Sequence, residues 1–145
     1  MITIKTPKTI EDFKAYYALR YRVLSEPWGF AKGTEKDDYE PLSKHFMAVN
    51  EKGTAVGVIK MYKKDDCVGH ISHLAVAPEY QHRGIGRLLL ETVEKYARKH
   101  GFCKLGTMAR ATATVYFEKF GFHIAGMSAH LGMTHLVWME KGLDK

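Results

Sequence analysis

The run His70-Ile71-Ser72-His73-Leu74-Ala75-Val76-Ala77-Pro78-Glu79-Tyr80-Gln81-His82-Arg83-Gly84-Ile85-Gly86 constrains the fold of this chain more than any other stretch. It reads as a strand that passes through a tight, basic, glycine-bearing loop straight into the start of a helix. Such a junction binds anions. The free N–H groups of a first helical turn point outward, the helix dipole favours negative charge, and glycines clear the way for close approach. Gly84 and Gly86 stand at that place, flanked by Arg83 and Arg87. Two standard phosphate motifs are excluded by spacing. There is no Gly-x-x-x-x-Gly-Lys-Ser/Thr, and Leu89 stands where a dinucleotide fingerprint needs its third glycine.

The helix that follows carries Ile85, Leu88, Leu89, Val93, Tyr96 and Ala97 on one face and should stop at Gly101. Lys104 to Met108 is then a strand, and a strand–helix–strand crossover places two strands parallel in one sheet. The rest of the chain adds hairpins. Residues 2 to 6 alternate as a strand, and Thr9 with Asp12 forms a capping box before the helical stripe Ile10, Phe13, Tyr16, Tyr17, Val23, Leu24. Pro27 to Pro41 is expected to be a loop holding one short helix. His45 to Val49, Ala55 to Tyr62 and Val68 to Val76 read as three strands on short turns. Thr112 to Phe120 reads as an amphipathic helix ended by Gly121, followed by strands at Phe122 to Met127 and Met133 to Met139. The order β, α, loop, β, β, β, α, β, α, β, β requires a mixed sheet. With 145 residues, a single domain over 1–145 is expected.

Composition narrows the function classes. Lys and Arg number 22 against 16 Asp and Glu, a net charge of +6, which favours anionic partners without separating nucleic acid from a phosphorylated cofactor. No apolar run approaches membrane-spanning length, and Met1-Ile2-Thr3-Ile4-Lys5 lacks the order of a signal peptide, so a cytoplasmic protein off the membrane is expected. Cys67 and Cys103 match neither a zinc spacing nor a disulfide framework and read as small buried hydrophobes. His45, His82, His100, His123, His130 and His135 show no ligand-like pairing, beyond the weak five-residue interval of the last two, so no metal is expected.

Gln81-His82-Arg83-Gly84-Ile85-Gly86 matches the Gln/Arg-x-x-Gly-x-Gly/Ala loop of the GNAT superfamily of N-acetyltransferases. Ala113-Thr114-Val115-Tyr116-Phe117-Glu118-Lys119-Phe120-Gly121-Phe122 is similar to that family's Ala-x-x-Phe-Tyr-x-Lys-x-Gly-Phe segment. The resemblance covers essentially the whole chain. It implies an α/β (α+β) fold with a mixed, mostly antiparallel central sheet, helices on both faces and a splayed parallel strand pair. It also implies acetyl-CoA as cosubstrate: backbone groups of Leu74, Ala75 and Val76 would pair with the pantetheine arm, and His82, Arg83, Gly84, Ile85, Gly86 and Arg87 would hold the pyrophosphate. A small-molecule or peptide amine is the expected acceptor, with no nucleic acid partner and, by family habit, a homodimer through the closing strands.

Acetyl transfer to nitrogen needs a neutral amine, yet an alkylamine has a pKa of about 10.4, so a base must take its proton. His70 is the candidate, sharing a strand face with Ser72, Leu74 and Val76 by period-2 alternation while His73 points the other way. It also falls where arylalkylamine N-acetyltransferases carry a histidine and histone acetyltransferases a glutamate. The usual acid of the family, a tyrosine, is replaced by Phe117, which leaves Tyr116 as a weak candidate acid. Arg110 stands where the family often has asparagine, with either a pairing or a surface role. Glu35, Asp37, Asp38 and Glu40 are either an acidic field for a cationic amine or a solvated loop. The alternatives to an enzyme are a non-catalytic acyl-CoA-binding module, motivated by Phe117, and a nucleic-acid-binding domain, motivated by charge alone.

Overall fold

The computed structural model describes residues 1–131 and 134–143. Its elements are β1 (Thr3–Lys5), α1 (Ile10–Arg20), β2 (Ser43–Val49), β3 (Ala55–Lys63), β4 (Val68–Val76), α2 (Ile85–Lys99), β5 (Lys104–Arg110), α3 (Thr114–Glu118), β6 (His123–Leu131) and β7 (Thr134–Gly142). The strands form a seven-stranded sheet in the order β1-β2-β3-β4-β5-β7-β6. β1 with β2, β2 with β3, β5 with β7 and β6 with β7 pair antiparallel. The crossover through α2 makes β4 and β5 parallel, in a register running from Val68 opposite Lys104 to Ile71 opposite Thr107. β4 continues to Val76 and β5 to Arg110.

Two compact units divide the chain: Met1–Tyr62 with His73–Val93, and Lys63–Ser72 with Glu94–Lys145. In the first, α1 starts as its sequence dictates. The Thr9 hydroxyl accepts from the Asp12 N–H at 3.0 Å, and the Asp12 carboxylate accepts from the Thr9 N–H at 3.3 Å. The helical stripe does not continue straight on to Leu24. The chain widens into a π-helical turn over Tyr21–Ser25, then tightens to a 3₁₀ turn over Glu26–Trp28 that ends at the left-handed Gly29. A second 3₁₀ turn covers Glu40–Leu42, so the segment read as a loop with one short helix carries two short turns.

One face of this unit packs Tyr16 and Leu19 of α1 on Met47, Val49, Val58, Ala75 and Ala77. The other receives α2. A Cβ on Gly57 would lie 2.9 Å from both Ile85 and Leu89, so the first turns of α2 rest directly on the β3 backbone.

In the second unit Ile71, Leu105, Met139, Phe117 and Phe122 are buried. The Thr107 hydroxyl donates to the Ile71 carbonyl at 3.0 Å across the parallel pair. α3 is a single five-residue turn and not the longer helix expected, because a 3₁₀ turn, Ala111–Ala113, occupies the residues ahead of it.

The reading of the cysteines is overturned. Cys67 and Cys103 form a disulfide, with Cα atoms 4.9 Å apart, and Cys103 is exposed. The parallel register explains it: the pair lies one step before Val68 opposite Lys104, and the Cys103 N–H donates to the Cys67 carbonyl at 2.7 Å. A sequence separation of 36 residues carries no trace of that adjacency.

Candidate active site

The strand, tight glycine-bearing turn and helix start read from residues 70–86 all form. Two positions of the turn adopt left-handed backbone, His82 at φ 64° and Gly84 at φ 81°, and such turns aim successive N–H groups toward a common point. α2 begins at Ile85, with the Leu88 N–H donating to the Gly84 carbonyl at 3.0 Å. Gln81 ties the loop to its strand by donating to the Val76 carbonyl at 3.2 Å. Arg83 and Arg87 are exposed at the mouth, the first with its guanidinium 4.9 Å over the Tyr80 ring, the second 3.8 Å from Glu91. An added Cβ at Gly84 would meet nothing within 4 Å, so the backbone there is open. Leu74, Ala75 and Val76 form the end of β4 immediately before this loop, with Ala75 buried in the core beneath α1.

β4 is not a uniformly alternating strand. His73 has φ 56°, a left-handed conformation costly for a side chain with a Cβ, so the alternation assumed from His70 through Ser72 to Leu74 and Val76 is interrupted between them. Strained backbone of this kind collects at functional sites. The His73 imidazole is largely buried, and burial first, then the Arg20 and Lys60 cations, push its pKa down to about 4.

Those cations belong to a buried polar cluster that sequence reasoning missed. Arg20 and Lys60 have no exposed surface at all. Lys60 lies 2.6 Å from Asp37 and 3.4 Å from Glu40, while Arg20 lies 2.8 Å from Glu40 and also donates to the Glu35 carbonyl and the Tyr16 hydroxyl. The Tyr16 hydroxyl lies 2.8 Å from His45 Nδ1, and His45 Nε2 lies 2.9 Å from the Glu40 carbonyl. Among the described residues, Arg20 Nε is the buried side-chain polar atom without a partner.

The acidic loop is therefore not a free field. Asp37 and Glu40 neutralise buried cations, the Glu35 carboxylate accepts from the Gly33 N–H at 2.8 Å, and only Asp38 of the four is exposed. Both Asp37 and Glu40 are held below the usual carboxylate range by hydrogen bonds and nearby cations, against the opposing effect of burial.

His70, the candidate base, lies in the second unit, half-buried and opposite Gly106 of β5, with its ring 5.1 Å from the Trp138 indole in an edge-to-face arrangement. Tyr116 packs against Phe117 and Phe120 at 5.4 and 5.0 Å, and burial raises its pKa. Phe117 itself is buried. Arg110 is exposed at the end of β5. The His130 and His135 side chains lie outside the described residues. Among the described residues no cluster of His, Cys, Asp or Glu has metal-binding geometry, and no helix is long and apolar enough to cross a membrane.

Trp138 was not singled out from sequence, yet a signal for it exists. Gly106 and Gly126 interrupt two strands, and each faces this one indole.

A left-handed loop between a strand interrupted at His73 and a helix start, set in a seven-stranded sheet with one parallel pair, defines the acetyltransferase class of fold. The chain belongs to the Acetyltransferase (GNAT) family, whose profile matches residues 11–122. It is 34% identical over 103 residues to an amino-acid acetyltransferase of Pseudomonas putida, an alignment covering 70% of this chain and 24% of that protein. The aligned region thus spans about a quarter of that longer relative. Among solved structures, a Lactobacillus plantarum protein named as an N-acetyltransferase superposes with a TM-score of 0.89 at 22% identity, covering 98% of both chains. A GNAT family acetyltransferase from Elizabethkingia anophelis with acetyl-CoA bound gives 0.75 at 22% identity, again over 98% of both. The Escherichia coli ribosomal-protein-S18-alanine N-acetyltransferase gives 0.76 at 21% identity, over 100% of this chain and 96% of that one.

Proposed function

We propose that the chain transfers the acetyl group of acetyl-CoA to a primary amine by direct attack, with no covalent enzyme intermediate. The observation that carries this is the loop from Gln81 to Arg87, left-handed at His82 and Gly84 and open over Gly84, at the start of α2. The names of the relatives agree in kind: one acts on amino acids, another on a protein's alanine, and one neighbour holds acetyl-CoA. Acetyl-CoA supplies an acetyl group activated as a thioester.

The residues of this chain do the rest. N–H groups of His82, Arg83, Gly84, Ile85, Gly86 and Arg87 hold the pyrophosphate, and the charges of Arg83 and Arg87 add to the helix dipole. Leu74, Ala75 and Val76 offer backbone groups to the pantetheine arm. His70 accepts one proton of the acceptor ammonium, nitrogen bonds to the acetyl carbon, the carbon–sulfur bond breaks, and the second proton lost from nitrogen passes to the departing thiolate. The products are the N-acetylated amine and CoA, whose thiolate is a fair enough leaving group to depart without a dedicated acid. Tyr116, packed among phenylalanines with its pKa raised, serves that step weakly at most.

An amine panel with acetyl-CoA, read by thiol release and mass spectrometry, tests this together with two variants. Gly84→Asp puts a carboxylate among the N–H groups and a side chain at φ 81°, so acetyl-CoA binding should weaken severely with the fold intact. His70→Ala should leave acetyl-CoA affinity nearly unchanged and lower turnover about 10²-fold, with partial recovery at high pH as the amine deprotonates unaided. Tight acetyl-CoA binding with no transfer to any amine would favour a non-catalytic acyl-CoA-binding module. Unchanged turnover in folded His70→Ala would remove His70 from the mechanism.

A further inference from the structure

Trp138 of β7 is held more deliberately than packing requires. A Cβ at Gly106 would clash with the far edge of its six-membered ring, and a Cβ at Gly126 would lie 2.9 Å from its Cβ and Cδ1. The indole therefore lies across bare backbone on both neighbouring strands. Its Nε1 donates to Glu140 Oε2 at 2.8 Å, and Glu140 is held in turn by Lys104 at 3.2 Å. Trp138 and Glu140, two residues apart on one strand, share a face, so this bond fixes the ring plane. Opposite Gly106 in the parallel register stands His70, its ring 5.1 Å from the indole. Above the ring sits an ammonium: Lys64 Nζ, 3.9 Å from the ring centre, on an exposed side chain of the β3–β4 turn.

A rigid aromatic face covered by the ammonium of an exposed lysine is a cation site whose occupant is exchangeable. Indole is the strongest of the aromatic faces for cations, and quaternary and primary ammonium groups are recognised in this way. The fixed ring, the adjacent imidazole and the ammonium already seated supply the three features an acceptor site needs. We infer that Trp138 receives the ammonium of the acceptor, that Lys64 occupies its place in the free protein, and that the preferred acceptor is a primary amine on an unbranched alkyl stem, as at the end of a lysine side chain. This rests on the acetyltransferase reading above and names its substrate class. The stem follows from Lys64 itself, whose ammonium, carried on four methylenes, already rests over the ring. An α-carboxylated amine brings negative charge next to the nitrogen, against the negative π-face of the indole and the Glu140 carboxylate that fixes it.

The test uses two independent readouts. In a Trp28→Phe background, which leaves Trp138 as the sole indole, titration with n-butylamine and with N-acetyl-lysine methyl ester, whose side-chain amine is free, should quench tryptophan fluorescence saturably. Lys64→Met should tighten that binding about threefold by removing the competitor, and it should lower KM for both amines with kcat nearly unchanged. Trp138→Leu should raise KM about tenfold while acetyl-CoA affinity holds, and Trp138→Phe should fall between. Glycine, tested as an α-amino acid, should show no such dependence. If acetyl transfer proceeds and Lys64→Met and Trp138→Phe leave KM for alkylamines unchanged, the inference is overturned and the acetyltransferase reading stands. If no amine is acetylated but saturable quenching responds to Lys64→Met, the ammonium site stands and the acetyltransferase reading fails. Absence of both quenching and variant effects overturns the site.

Discussion

His73 combines two costs in one residue, a left-handed backbone and a buried imidazole with Arg20 and Lys60 for neighbours. Its pKa is depressed to about 4 from an unfolded value of about 6.5, so the folded protein resists taking up the proton that the unfolded chain accepts readily. The contribution to stability is full above pH of about 6.5 and drains away as pH falls toward 4. Denaturation midpoints should therefore drop between pH 7 and pH 5, before the carboxylates titrate. His73→Asn should flatten that slope, because asparagine tolerates left-handed backbone and has nothing to titrate. A slope unchanged in His73→Asn would assign it to another group. At this scale the sequence was legible where chemistry is local: the Thr9 and Asp12 capping box, Gly101 ending α2, and the glycine turn at Gly84 need only neighbours a few residues away. His73 was not legible, since its strain and its cations come from contacts distant in the chain.

Between elements, the segment from Tyr21 to Leu42 is held to the sheet by charge as much as by apolar contact. Lys60 on β3 reaches Asp37 and Glu40, and Arg20 at the end of α1 reaches Glu40 from the other side. Removing one member of such a set leaves carboxylates in a poorly solvated place with too few partners. Lys60→Met should destabilise the protein by about 3 kcal/mol in urea denaturation, and adding Asp37→Asn should recover part of the loss, since it deletes the charge left behind. Full additivity of the two would show that the pair does not interact. The element order and the parallel β4–β5 pair followed from periodicity and the crossover through α2, whereas β1, joined to β2 through α1, pairs antiparallel against the expectation that each such crossover makes a parallel pair. The acidic loop did not: composition shows four carboxylates in a row of turns, whereas their cations sit at positions 20 and 60, one on a helix and one on a strand interior. A lysine in the middle of the run Val56 to Met61, otherwise apolar apart from Gly57, was the available signal.

On the scale of the whole molecule, Cys67–Cys103 closes a loop that contains the whole of β4, the Gln81–Arg87 turn and α2. Chain-entropy arguments assign such a crosslink about 2–4 kcal/mol through the unfolded state. Dithiothreitol should lower the thermal midpoint by several degrees, and the Cys67→Ser, Cys103→Ser double variant should melt at the reduced value and ignore the reductant. Equal midpoints with and without reductant in the parent chain would show that the thiols are not paired in solution. The buried cluster around Lys60 has a consequence for the net charge of +6. Two of the cations counted in that sum lie fully inside, in contact with carboxylates at 2.6 and 2.8 Å. Even in 1 M salt the screening length is about 3 Å, and no electrolyte can enter between groups that close, whereas the exposed Arg22–Glu79 and Met1–Glu51 pairs weaken readily. Brine therefore loosens the rim of the protein and leaves its ionic interior untouched.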